Sequence, residues 1–67
     1  MRVINFNPTA NGFYGFVVPF TNPENKLVWR TVVKHGKQVI DFRDSTNNTD
    51  AIAWFHQQIA LLEEEKK

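Results

Sequence analysis

Sixty-seven residues with a net charge of +1, no cysteine and two histidines make one small domain, residues 1–67, with no disulfide staple and no recognisable zinc site. A balance this close to neutral argues against a strongly electrostatic nucleic-acid binder, and no apolar run approaches the roughly 18 residues needed to span a bilayer. The opening MRVINFNPTANG lacks the basic-then-apolar order of a signal peptide, so the expectation is a soluble, cytoplasmic chain without cofactors.

The first element is a strand over residues 2–6, closed by Asn7-Pro8, because the residue before a proline is pushed away from helix and the proline has no ladder donor. Asn11-Gly12 then marks a turn, since both residues tolerate positive φ. Residues 13–20, FYGFVVPF, form a second strand. Alternation sets Tyr14, Phe16, Val18 and Phe20 on one side and Phe13, Gly15 and Val17 on the other. Pro19, lacking the ladder donor, places the end of this strand at an edge or already leaving the sheet.

Residues 27–43, LVWRTVVKHGKQVIDFR, are the centre of the chain and read as a hairpin of β-branched and aromatic arms. A two-residue turn at His35-Gly36 pairs Arg30 with Asp41 and Trp29 with Phe42, an ion pair and an aromatic pair. DSTNNT follows as a run of turn and cap formers. Beyond it Ile52, Phe55, Ile59 and Leu62 recur at helical spacing, with Thr49 as the expected N-cap and Asp50 at the positive end of the helix dipole. The order predicts an α+β fold: a small antiparallel sheet of three to four strands, a meander, packed on one C-terminal α-helix.

One helix covers one face of such a sheet. The expected core face carries Trp29, Thr31, Val33, Ile40 and Phe42 with Ile4, Phe6, Phe16, Val18 and Phe20. The uncovered face then displays Val28, Arg30, Val32, Lys34, Lys37, Val39, Asp41 and Arg43, with Phe13 and Val17. A sheet face meant only for water alternates apolar with polar, and valines are also simply good strand formers. Trp54 and Leu61 lie about 100° from the main helical stripe and either pad the core edge or join an interface.

Enzyme signals are weak. His35 sits at a turn and His56 on the polar side of the helix, neither beside a nucleophile or an orienting carboxylate, and the three glycines form no phosphate-binding spacing. Charge is uneven, however. Residues 1–44 hold six basic against three acidic side chains, while residues 45–67 hold two against four, so an anionic partner meets the strands rather than the helix.

Two local resemblances accompany this pattern. VINFN followed by GFYGFVVP, with GKQVIDF later, resembles the opening and a later strand of cold-shock domains. That likeness implies stacking of bases on Phe13 and Phe16, although Tyr14 interrupts the aromatic-Gly-aromatic run and a helix stands where the last strand belongs. A sheet followed by a helix starting with Ala51 and Trp54 is similar in order to the arm-binding domains of tyrosine-type integrases, which implies a sheet laid on DNA.

The expected function is a non-enzymatic binding module. In the leading reading Arg30, Lys34, Lys37 and Arg43 meet nucleic-acid phosphates and Phe13 offers a stacking ring. The alternative is a small regulatory or inhibitor protein, of the kind carried by phages and mobile elements. It binds another protein, or a second copy of itself as a homodimer, through Val28, Val32, Val39, Trp54 and Leu61.

Overall fold

The computed structural model describes residues 3–65 and runs β1 (Ile4–Phe6), β2 (Phe13–Thr21), β3 (Leu27–His35), β4 (Gln38–Ser45) and α1 (Asn48–Glu65). The strands form one antiparallel sheet in the order β1-β2-β3-β4, and the helix lies across one face, chiefly on β3. This is the expected α+β meander. Arg2, expected in the first strand, lies outside the described residues.

Each connection is set by local chemistry. Before β2, the Thr9 carbonyl accepts from Gly12 N–H at 2.9 Å, the Thr9 hydroxyl accepts from Phe13 N–H at 3.2 Å, and Gly12 takes φ +84°. Between β2 and β3, the Asn22 side-chain oxygen accepts from the amides of Glu24 and Lys26, both at 3.0 Å, while Asn25 adopts φ 63°. Asparagine suits both tasks because its short amide bonds its own backbone and it tolerates the left-handed region.

The β3–β4 turn is Gly36-Lys37, one residue later than His35-Gly36. His35 pairs with Gln38, and Gly36 supplies φ 62°. A positive φ at the first loop position suits a type II′ hairpin turn. A β-bulge then follows: Lys34 faces Val39 but Val33 faces Asp41, leaving Ile40 as the extra residue. From there Val32 pairs with Phe42, Thr31 with Arg43, Arg30 with Asp44 and Trp29 with Ser45.

These shifts decide which side chains are inside. A one-residue change of register sends every following side chain to the other face, so Phe42 turns outward and Asp41 and Arg43 turn to the helix side. The expected Arg30–Asp41 and Trp29–Phe42 pairs are replaced accordingly. In β2 the alternation is as expected but the faces are exchanged. Gly15 pairs with Val33 and Val17 with Thr31, so Phe13, Gly15 and Val17 lie under the helix while Tyr14, Phe16, Val18 and Phe20 face away.

Gly15 is the physical reason for that choice. Phe55 descends from the helix onto the strand there, stacked on Phe6 with ring centroids 3.9 Å apart. A β-carbon at Gly15 would stand 2.7 Å from the Phe55 ring and collide with the Val32 carbonyl. A strand glycine thus marks the face that another element approaches closely. Around this contact Phe13, Val17, Val33, Ala51 and Phe55 are buried. Thr31, also fully buried, donates its hydroxyl to the Ala51 carbonyl at 3.3 Å and fastens the first helical turn to β3.

The helix begins two residues earlier than expected. Asn47, not Thr49, is the N-cap: its side-chain oxygen accepts from Asp50 N–H at 2.8 Å, and its amide donates to the Asp50 carboxylate at 3.2 Å. The first bond satisfies an otherwise unpaired amide of the first helical turn, and the second joins the two side chains and holds the cap in place. Further along, the helix is tied to the first loop by Asn11, whose amide donates to Glu63. The Thr9 hydroxyl, and after it the Asn11 amide, hold the Glu63 carboxyl below its ordinary range.

Candidate functional site

With the helix on one side, the other side of the sheet is open. Cross-strand partners share a face, so the register assembles Tyr14, Phe16, Val18 and Phe20 from β2, Val28, Arg30, Val32 and Lys34 from β3, and Val39, Phe42 and Asp44 from β4 on this outer surface. Most are half-buried by one another, while Phe42 is 58% exposed. Apolar side chains therefore form a continuous field across three strands rather than scattered points, the pattern that distinguishes a contact surface from ordinary exposure.

Its charges are largely engaged within the field. Arg30 donates from Nε to one Asp44 oxygen at 2.8 Å and from an η nitrogen to the other at 3.1 Å. Its guanidinium lies 4.2 Å from the Phe20 ring centroid and 5.4 Å from that of Phe42. The hydrogen bonds raise the Arg30 pKa and lower that of Asp44. Lys34 holds its ammonium 5.7 Å from the Tyr14 ring centroid, and the Tyr14 hydroxyl donates to the Gly36 carbonyl in the adjacent turn. Among the described residues no acid is hydrogen-bonded to Lys34, so it carries the excess positive charge of the face.

The edges of the sheet, by contrast, are blunted. β1 is three residues long, the part of β2 that extends beyond it contains Pro19, and β4 carries the bulge at Ile40. The Asp41 carboxylate accepts from Phe42 N–H at 2.8 Å, occupying a backbone donor that an added strand would otherwise recruit. Short strands, proline, bulges and charged side chains are the usual means of closing an edge to another strand. Sheet extension is opposed here and face-to-face contact is not.

The residues expected to act together are thus divided. Val28, Arg30, Val32, Lys34 and Val39 share the outer face. Phe13, expected there as a stacking ring, is 3% exposed under the helix, with its ring against His35 at 4.7 Å. Lys37 occupies the turn. Arg43 faces the helix side and joins Trp54, Asp50 and Gln57 in an open groove of about 340 Å³ between β4 and the start of the helix. Leu61 is 53% exposed on the helix, remote from the outer face. Sequence reasoning missed Tyr14, Phe16, Val18, Phe20, Phe42 and Asp44 as outer-face residues; the glycine at 15 was the available sign for β2.

His35 bonds the Asn11 carbonyl through Nε2 at 3.0 Å, and His56 lies edge-on to Phe6 at 5.5 Å. Among the described residues no three His, Asp or Glu side chains gather as a metal site, and no helix is long and apolar enough to cross a membrane. No protein-family model matches the chain, and no curated protein and no solved structure matches it either.

Proposed function

We propose that this chain is a non-enzymatic protein-interaction module that works by docking its outer sheet face against an apolar protein surface. The observation that carries the reading is the neutralised, aromatic character of that face: Arg30 is held by Asp44 between Phe20 and Phe42. Aromatic residues and arginine are enriched, and lysine and acids depleted, at the cores of protein interfaces. The blunted edges favour contact through the face over strand addition.

A second reading rests on the rings of this face. Tyr14, Phe16 and Phe42 beside Lys34 offer stacking platforms for single-stranded nucleic acid, with Arg30, Lys34 and Lys37 near the phosphates. Engagement of Arg30 by Asp44 weighs against it, because a phosphate must displace the carboxylate.

Capture from lysate with the wild-type chain and Phe42→Glu, with and without nuclease and across salt, separates the two. The protein reading predicts a bound protein that survives nuclease and moderate salt and is lost with Phe42→Glu. Binding that disappears with nuclease and falls steeply with salt contradicts it.

A further inference from the structure

We infer that the occupant of the outer sheet face is a second copy of this chain, packed sheet to sheet about a twofold axis. The inference rests on the protein-interaction reading and names its partner. Three features favour a copy over a foreign surface.

First, the chain lacks a layer. Only Phe13, Val17, Val33, Ala51 and Phe55 are buried hydrophobics among the described residues, a thin core for a cysteine-free chain of this size. Half-buried apolar side chains from β2 and β3, with Val39 and Phe42 of β4, lie on the side away from the helix, where a second sheet would complete a helix-sheet-sheet-helix sandwich.

Second, the face is only just large enough for a dimer. Nine-residue strands in β2 and β3 and the eight residues of β4, at about 3.4 Å per residue and 4.8 Å between strands, outline a rectangle of roughly 450 Å² in projection. Upright side chains increase the accessible area beyond that footprint. Stable interfaces begin near 600 Å² per partner, so nearly the whole face must be used, as it is when identical faces meet.

Third, the charges are self-complementary. A twofold interface brings residue i of one copy to residue j of the other and j to i. Arg30 and Asp44 stand side by side with opposite charge on an otherwise apolar field. The pair leaves the middle of each face without net charge, so two identical faces meet there without forcing like charges together, and Lys34 stands at the hairpin end.

Sedimentation equilibrium of the purified full chain tests this from micromolar to millimolar concentration. The expected mass is twice 7.8 kDa, with a Tm that rises with protein concentration. Val32→Arg, at the centre of the face, should give a monomer with unchanged helical circular dichroism. Leu61→Arg, on the exposed helix surface, should remain dimeric. If Val32→Arg unfolds, Phe42→Glu at the exposed ring makes the same test. A wild-type monomer at every concentration overturns the inference. In that event a different protein captured by the wild type and lost with Val32→Arg leaves the broader reading standing, and capture of neither protein nor copy removes both. A dimer that Val32→Arg and Phe42→Glu leave intact also overturns it, because the contact then lies elsewhere.

Discussion

Arg30 holds Asp44 through two parallel hydrogen bonds, 2.8 and 3.1 Å long, on the side of the sheet the helix does not cover. The pair exists because the bulge at Ile40 advances β4 by one residue, bringing Asp44 rather than Arg43 beside Arg30 on the outer face. It converts what would be a basic patch into a nearly neutral aromatic one. Asp44→Ala should free the Arg30 charge. Binding of a single-stranded oligonucleotide, read by fluorescence anisotropy at low salt, should then increase over the wild type, while capture of the protein partner falls. Weaker oligonucleotide binding in the variant would contradict this account of the face.

Removing the space at Gly15 should unfold the packing at its centre. Gly15→Ala sets a methyl 2.7 Å from the Phe55 ring and against the Val32 carbonyl, and overpacking of this kind costs about 1–3 kcal/mol. Urea unfolding should show that loss for alanine and a larger one for valine. The neighbouring Phe16→Ala, on the outer face, should be milder in the isolated chain.

Asn47→Ala should lower stability by about 1 kcal/mol, the usual loss for an N-cap, because it removes both the bond to Asp50 N–H and the bond to the Asp50 carboxylate. Thr49→Ala should be nearly neutral in the same denaturant titration. Equal effects at the two positions would show that the cap has been misplaced.

Acid should loosen the chain in two places. Arg30 depresses the Asp44 pKa, and the Thr9 hydroxyl with the Asn11 amide depresses that of Glu63. A carboxyl lowered on folding contributes stability that is full above its unfolded pKa, about pH 4, and is lost as pH falls through the folded value. Stability should therefore be level near neutrality and decline below about pH 4. Asp44→Asn and Glu63→Gln should each make that decline shallower. An unchanged acid limb in both variants would show that neither contact matters.

The order and type of every element were legible from punctuation and periodicity, as were the outward positions of Val28, Arg30, Val32 and Lys34. Two features were not. The exchange of faces in β2 depends on whether Phe55 packs over Gly15, a tertiary contact at which the glycine only hints. The bulge at Ile40 has no local mark, since VIDF alternates as well without it, yet it alone carries Phe42 and Asp44 to the outer face and Arg43 away from it. The N-cap was readable in principle: Asn47 and Asp50 stand three apart, the spacing at which a cap side chain bonds the third helical amide, within a run where six residues compete for the role. Phe13 was misplaced because a ring on an alternating strand gives no sign of which face is covered.

Solvent accessibility of the valine methyls tests the working surface most directly, by NMR with a soluble paramagnetic agent at low and high protein concentration. The outer face in use predicts that Val28 and Val32 methyls become protected as concentration or partner is raised while Leu61 methyls stay accessible. Methyls of Val28 and Val32 that remain as accessible as those of Leu61 under every condition would contradict it.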